Sequence, residues 1–346
     1  MEPTMRVTLQ TIADATGADR GTVSRVLSGR AREYKIGQAR ARRIEETAAR
    51  LGYRPNELGR ALRSGKNCDI GLLMATGDYN WLPDTLLAGV QDGLAPTGYT
   101  LRLARLDFTD RRRLSSWSQG VRRDMIDGLL VAARREAPGL SGLRRELAAW
   151  GRPTVWLTDH LGDDAVLTET PLAAERATDH LVALGHRRID CLSLTWPGLQ
   201  SPTDPTRTDL RFAGYQAAMQ RHGLPAYKHH AAPGSVALAA SLRARLAAPD
   251  RPTALLCHGD QWAISALLAC AEAGLRVPAD VSILSLGSVH GQATEHLSRF
   301  THDEYERGRL SASYLHDKLR DSTASLPAPR LAATLTEGRT TSPPST

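Results

Sequence analysis

The feature that most constrains this 346-residue chain is the regular alternation of apolar runs with helical stretches after residue 67. Runs such as "DIGLLMA" and "PTALLCH" are continuously apolar, as the strands of a parallel sheet covered on both faces are. Such alternation over about 260 residues predicts an α/β body of two doubly wound parallel sheets. The predicted strands are residues 69–75, 99–105, 126–132, 153–158, 188–194, 252–258 and 281–287, and the predicted helices are residues 83–96, 110–123, 139–150, 171–184, 209–222, 236–247 and 260–274.

Residues 1–66 differ from this body in charge. They contain 14 Lys and Arg against 7 Asp and Glu, so the whole formal net charge of +7 lies in the first fifth of the chain. A small basic domain attached to a neutral body is typical of proteins that bind a polyanion, nucleic acid foremost.

The same segment has the pattern of three short helices. Thr8 and Asp19 are suitable N-caps, and Gly17 lies between the first two helices, where a tight turn requires a positive φ. Apolar residues such as Val23 fall on one side of the second helix. This spacing predicts an all-α helix-turn-helix headpiece. Its helices are predicted at residues 9–16, 20–27 and 38–51.

The domain organisation follows from these patterns. Arg54-Pro55 interrupts the helical segment, and the Ser-, Thr- and Pro-rich end of the chain is typical of disorder. The predicted divisions are a headpiece at 1–54, a hinge helix or linker at 55–67, a body at 68–340 with one lobe at about 68–158 plus 291–318 and the other at about 159–290 plus 319–340, and a disordered tail at 341–346.

The sequence contains no motif typical of a metalloprotein, a disulfide-rich protein, an enzyme or a membrane protein. The four cysteines are scattered, so neither a metal site nor a disulfide framework is predicted, and no cofactor is expected. The chain lacks GxGxxG, GxSxG and HExxH motifs, and "GRALRSGKN" fails the phosphate-loop spacing, so an enzyme is not predicted. Neither a signal peptide nor a membrane span is predicted, which favours a cytoplasmic protein without a membrane partner.

Three blocks then point to a family. The first two are "VTLQTIADATGADRGTVSRVLSG" and "LGYRPNELGRALRSGK", and the third, in the body, consists of "HLVALGHRRIDCLSL" with "AEAGLRVPADVSILSLG". They resemble the lactose-repressor (LacI/GalR) family of bacterial transcription regulators over residues 7–340. The resemblance implies a homodimeric, nucleoid-associated repressor whose headpieces read a palindromic operator in double-stranded DNA. It also implies a two-lobed body, similar to periplasmic sugar-binding proteins, that closes on a small effector, usually a carbohydrate or a derivative.

In the headpiece the resemblance assigns roles to single residues. Arg20 and Gly21 match the two positions that discriminate among operators, and Arg25 matches a further base-contacting arginine. A bidentate contact of Arg20 with guanine would contribute about 1–3 kcal/mol of discrimination, whereas Gly21 has no side chain to read a base. The hydroxyls expected to contact phosphates are Thr8, Thr22, Ser24 and Ser28.

The hinge matches a helix that forms when two copies meet on DNA. Leu62 matches a leucine that wedges between base pairs from the minor groove, Asn56 can cap the helix, and Arg60 flanks the wedge. Gly59 replaces the usual alanine, which lowers helix propensity by about 1 kcal/mol. The loop "RAREYKIG", residues 30–37, is a few residues longer than usual in the family; its cations can add phosphate contacts, and longer loops are also cheaply tolerated.

The effector site matches the family less well. Arg211 aligns with an arginine that grips ligand oxygens, and Asp260 with the second residue of an Asn-Asp pair. Gly259 replaces that asparagine, Gly287 and Ser288 stand where an aspartate is usual, and Thr158 replaces another acid. A neutral sugar needs several fixed acceptors, so these losses disfavour a typical hexose.

Three aromatic residues in loops after predicted strands, Tyr79, Trp81 and Trp196, are candidates for stacking on a sugar or for ordinary packing. Three readings of the body stay open. It binds a sugar, it binds a larger or anionic ligand through Arg211, or it has lost its effector and acts as a dimerisation or protein-docking module.

Overall fold

The computed structural model describes residues 7–53, 68–75, 84–108, 110–122, 126–133, 139–158, 165–193, 209–230, 236–287, 296–321 and 329–345. Contacts within the chain divide it into two units, residues 1–67 and 68–346.

The first unit contains three helices around one small core. Ile12, Val23 and Ile44 contribute one fully buried side chain from each helix, so the three helices share a single apolar centre. These helices lie at the predicted positions. They are α1 (Leu9–Thr16), α2 (Arg20–Leu27) and α3 (Gln38–Arg50).

Local hydrogen bonds fix the ends of the first two helices. Thr8 and Thr11 form a capping box in which each side chain accepts from the other residue's backbone N–H at 3.2 Å. Gly17 ends α1 with φ 64°, in the left-handed region that favours glycine. Asp19 then caps α2, because its Oδ1 accepts from Thr22 N at 2.8 Å. The turn between the helices is therefore set by adjacent residues.

The second unit contains two six-stranded sheets. The first sheet has the order β11-β5-β4-β3-β1-β2, and its recorded pairings are all parallel. Its strands are β1 (Asp69–Ala75), β2 (Thr100–Leu106), β3 (Gly128–Ala132), β4 (Thr154–Thr158), β5 (Ala165–Thr168) and β11 (Arg330–Leu331). The helices packed on it are α4 (Asp84–Leu94), α5 (Arg111–Arg122), α6 (Leu140–Trp150) and α11 (Glu304–Arg320).

The second sheet has the order β12-β10-β9-β8-β6-β7, and it is parallel except for the pairing of β12 with β10. Its strands are β6 (Ile189–Ser193), β7 (Tyr227–His230), β8 (Ala254–Cys257), β9 (Ser282–Ser285), β10 (Ser298–Thr301) and β12 (Thr334–Thr336). Its helices are α7 (Thr170–Ala183), α8 (Leu210–Arg221), α9 (Val236–Leu246) and α10 (Asp260–Glu272). The two sheets confirm the predicted body architecture.

The boundary between the lobes differs from the predicted one. Residues 165–168 pair with β4 and so belong to the first lobe, not the second. Residues 298–301 pair with β9 and belong to the second lobe, and residues 330–331 pair with β5 and return to the first. The prediction placed the boundary wrongly because it missed β5, β10 and β11, strands of only two to four residues that are too short to give a clear apolar pattern.

The end of the chain also differs from the predicted disorder. Ser342 N donates to Ser282 Oγ at 3.0 Å, and Ser282 Oγ donates to Ser342 O at 3.0 Å. Thr340 O accepts from Ile283 N at 2.6 Å. The end of the chain is thus bonded to the body, with Ser342 against β9, Thr341 beside Ser298 and Ser345 beside Ala279, although its composition alone is typical of disorder.

Candidate nucleic-acid interface and ligand site

The exposed side of α2 carries the three residues predicted to face DNA bases. Arg20 and Gly21 lie in its first turn and Arg25 in its last turn, and all three are exposed. Val23 and Val26, on the other side of the same helix, are buried. One side of this short helix therefore packs into the headpiece core, and the other side presents guanidinium groups to solvent.

The four predicted phosphate donors differ in their surroundings. Thr8 Oγ1 takes part in the capping box of α1, and Ser28 Oγ donates to Arg25 O at 3.1 Å. Ser24 is half-buried on α2. Thr22 is buried, and its hydroxyl donates to the Asp19 carboxylate. This hydrogen bond would have to break before the Thr22 hydroxyl could donate to a DNA phosphate.

The Asp19 carboxylate is held in its charged form by these bonds. The side-chain hydrogen bond from Thr22 and then the backbone N–H of the same residue lower the pKa of Asp19. A carboxylate at this N-cap also interacts favourably with the positive end of the helix dipole. The start of α2, where Arg20 is placed, is consequently fixed by an anchored cap.

The predicted hinge residues lie outside the described part of the chain. They are Asn56, Gly59, Arg60 and Leu62. The same holds for four residues of the predicted effector site, Tyr79, Trp81, Trp196 and Ser288.

The two remaining predicted effector residues lie near the carboxyl ends of strands in the second sheet. Arg211, at the start of α8, is half-buried, and its Nη1 donates to His258 O at 2.8 Å, just beyond β8. Asp260 is the first residue of α10 and is only 2% exposed; its Oδ1 accepts from Ser285 Oγ at 2.5 Å. Asp260 thus joins the ends of β8 and β9 instead of presenting its carboxylate to solvent.

Gly287 lies against Asp260. A Cβ at Gly287 would lie 2.4 Å from Asp260 N and 2.5 Å from its Oδ1, closer than real Cβ contacts. The backbone N–H of Gly287 donates to Ser285 Oγ at 3.0 Å, so the same serine binds both residues. The position where the family usually has an aspartate therefore has no room for a side chain here.

A buried ion pair beside Arg211 escaped the sequence prediction. Lys228 Nζ lies 3.0 Å from Asp209 Oδ2, with both side chains less than 8% exposed, and it also lies 4.2 Å from the Phe212 ring centroid. Asp209 caps α8 and accepts from the Ser193 hydroxyl. The cap position of Asp209 is visible in the sequence, but Lys228 lies in the polar strand β7, which gave no signal. Together they fix the start of the helix that carries Arg211.

The described residues contain neither a metal-binding cluster nor a membrane-spanning helix. No group of three or more His, Cys, Asp or Glu side chains among them could hold a metal ion. None of the helices described is long and apolar enough to cross a membrane.

Comparison with known proteins finds relatives that match most of this chain. A family model described as a periplasmic binding protein-like domain matches residues 178–341. The ribose operon repressor of Escherichia coli (strain K12) is 26% identical over 325 residues, which are 91% of this chain and 94% of that repressor. The transcriptional repressor PurR of Pectobacterium atrosepticum is 25% identical over 324 residues, 90% of each chain.

A solved structure extends the match to the fold. The lac repressor dimer bound to operator and to the anti-inducer ONPF aligns with a TM-score of 0.80 at 21% identity, covering 97% of this chain and 99% of that one. The alignment includes both the headpiece and the body, so the order of the two units along the chain is the same in both proteins.

Proposed function

Because this chain belongs to the LacI/GalR family of DNA-binding transcriptional regulators, we propose that it acts as a repressor: a homodimer that binds a palindromic operator in double-stranded DNA. It is a regulator and not an enzyme. A small-molecule effector bound between the lobes of the body would change the affinity for the operator. We place this activity in the bacterial cytoplasm, at the nucleoid.

The observation that carries the DNA-binding proposal is the arrangement of α2. Arg20 and Arg25 are exposed on a helix whose opposite side, with Val23 and Val26, forms the headpiece core. A helix held in this way can lie in the major groove with its first turn against the bases. Arg20 is the residue best placed to make a bidentate contact with guanine, while the further cations of the headpiece contact phosphates and set the register.

For the DNA-bound state, we assign the hinge residues the roles that the family resemblance gives them. Leu62 of each hinge inserts between base pairs from the minor groove and bends the duplex, with Asn56, Gly59 and Arg60 beside it. Two headpieces related by dimer symmetry then read two half-sites.

The body has two candidate roles, effector binding and docking. The half-buried Arg211, whose Nη1 donates to His258 O, is the residue that we propose contacts an anionic or oxygen-rich effector, and Trp196, Tyr79, Trp81 and Ser288 are sequence-based candidates for further contacts. The burial of Asp260 and the lack of space at Gly287 favour the alternative, in which the body has lost sugar binding and serves dimerisation or protein docking. Thermal shift of the full chain across a panel of sugars and anionic metabolites separates the two: a ligand that raises the melting temperature supports the effector.

Selection from a randomised pool of duplexes tests the DNA-binding proposal. We expect the full chain to enrich an inverted repeat and its affinity for the enriched duplex to fall steeply with salt, as phosphate contacts require. Enrichment of no sequence, or an affinity that does not change between 50 and 200 mM salt (about the range over which such complexes weaken by orders of magnitude), would contradict it.

A further inference from the structure

We propose that Tyr34 is a positioning residue for DNA recognition: its ring holds the guanidinium group of Arg25 ready to contact a base. The inference deepens the proposed function and rests on it, because it requires α2 to lie against DNA. Tyr34 belongs to the loop of residues 30–37, whose extra length had suggested only added cations.

This loop forms a fixed turn. Tyr34 N donates to Arg30 O at 3.2 Å, and Ile36 N donates to Ala31 O at 2.9 Å. Ala31 and Ile36 are half-buried and pack against the headpiece core. Lys35 adopts φ 51°, which reverses the chain after Tyr34. The extra residues therefore give Tyr34 a defined position instead of a free surface loop.

The ring of Tyr34 lies against two guanidinium groups. The Cζ atom of Arg25 is 4.4 Å from the ring centroid and that of Arg30 is 5.0 Å from it, within the range of cation–π contacts. Arg30 is further held by Glu33, with its Nε and Nη2 donating at 2.7 and 2.6 Å, and it donates to the Tyr34 hydroxyl at 3.0 Å. Glu33 and Arg30 thus fix the ring, and the ring restrains Arg25.

The two arginines differ in a way that suits different roles. Glu33 neutralises Arg30, whereas among residues 7–53 no carboxylate forms an ion pair with Arg25. A contact with an aromatic face restrains a guanidinium group without consuming its N–H donors, which remain free for base edges or phosphates. Arg25 is consequently exposed and partly ordered before DNA is bound.

Partial ordering of this kind raises affinity because a long side chain otherwise loses rotamer freedom on binding. Because the ring contact is present both with and without DNA, its effect on affinity is the ordering of the Arg25 side chain that it saves, which corresponds to roughly a two- to fivefold effect for one headpiece. In a dimer both headpieces contribute, so removal of the ring should weaken operator binding by about 5- to 25-fold.

A double-mutant cycle in the full chain tests the proposal. The probe is the duplex enriched from the randomised pool by the unaltered protein, with a random-sequence duplex of equal length as reference. Affinities are measured for the unaltered chain, Tyr34→Leu, Arg25→Ala and the double variant, and the base preference of each is mapped. Tyr34→Phe is the matched control, because it keeps the ring and loses only the hydroxyl contact with Arg30.

We expect Tyr34→Leu to weaken binding to the enriched duplex by about 5- to 25-fold when Arg25 is present and by less than about twofold in the Arg25→Ala background. It should flatten preference at the base pair that Arg25→Ala also flattens. Tyr34→Phe should bind within about threefold of the unaltered chain, since the ring contact persists.

Equal losses from Tyr34→Leu in both backgrounds would overturn the proposal, because a merely structural role of the ring does not depend on Arg25. Loss of preference at a different base pair would overturn it as well and would show that Tyr34 contacts DNA itself. If the pool yields no enriched duplex, the proposed function fails and this inference with it. If a duplex is enriched but the cycle is additive, only the inference fails.

Discussion

The headpiece and the carboxyl end of the second sheet use charged residues in opposite ways. In the headpiece, Arg20 and Arg25 are exposed while apolar neighbours on the same helix form the core. At the end of the second sheet, Asp260 and the Asp209–Lys228 pair are buried and bind parts of the fold to one another. A match to a family position therefore coincides with an exposed side chain at Arg20 and Arg25 but with a buried one at Asp260.

The difference arises from how far apart in the sequence the contacting residues are. The turn of the headpiece is set by residues within five positions of one another, such as Thr8 with Thr11 and Asp19 with Thr22. Asp260 meets Ser285 across 25 residues, and the space at Gly287 is decided by that meeting. Side chains that close long-range contacts in a close-packed interior have little freedom to serve a ligand as well.

The largest effect is expected from Ile44→Ala, which tests whether the headpiece is held by its own small core. Ile44 is fully buried between the three helices, and such truncations cost about 2–5 kcal/mol. This is comparable to the stability of a domain of this size, so the headpiece should lose its cooperative unfolding transition while the body keeps its own. Calorimetry of the full chain measures both transitions.

Ile36→Ala is the matched control, since Ile36 contacts the same core but is only half-buried. A smaller loss is expected there. Destabilisation of the body by Ile44→Ala would show that the two units do not unfold separately.

Arg20→Ala tests the exposed side of the headpiece. Loss of a bidentate contact should remove about 1–3 kcal/mol of discrimination at one symmetric base pair in each half-site, with the rest of the binding profile unchanged. Arg50→Ala, at the exposed end of α3, serves as control and should change no base preference. An Arg20→Ala protein with the original profile would remove this residue from sequence readout.

Gly287→Asp tests the other region, because it restores the family's usual acid at the effector site. The new side chain would collide with Asp260 and place a second carboxylate beside a buried one, so the body should lose about 1–3 kcal/mol of stability. Gly259→Ala is the matched control: its Cβ would lie 3.6 Å from Trp262, an ordinary contact, and its φ of −173° suits any residue. Thermal unfolding compares them, and a stable Gly287→Asp protein that binds hexoses would show that the acid had simply been lost.

The same contrast explains what the sequence could predict. The strand–helix alternation predicted most of the body, and β1 lies at its predicted residues, because continuous apolar runs report burial directly. The lobe boundary was misplaced since β5, β10 and β11 are strands of two to four residues whose pairing depends on distant partners. The contact of the Tyr34 ring with Arg25 and the burial of Lys228 were also missed, because neither follows from the spacing of apolar residues.

The smallest effect concerns the docked end of the chain and depends on pH. His186 is 1% exposed, and its Nε2 lies 2.9 Å from Ser342 O. Burial lowers the pKa of His186, the bond to Ser342 opposes this with a smaller effect, and the charge of His180 lowers the pKa slightly further. The unfolded chain therefore binds a proton at His186 before the folded chain does as the pH falls, and stability is lost through the range at and just below the ordinary histidine pKa of about 6.5.

We accordingly expect the unfolding temperature of the body, and the amide protection of residues 340–342, to decrease modestly between pH 7.5 and about pH 5.5. His186→Gln keeps a donor for Ser342 O and removes the titrating ring, so part of this pH dependence should disappear. His222→Gln is the control, because His222 is a partly exposed surface histidine beside Asp179. If the His186→Gln and unaltered chains lose stability in parallel over this range, the docking of the tail is not linked to His186, and other groups of the body account for the loss.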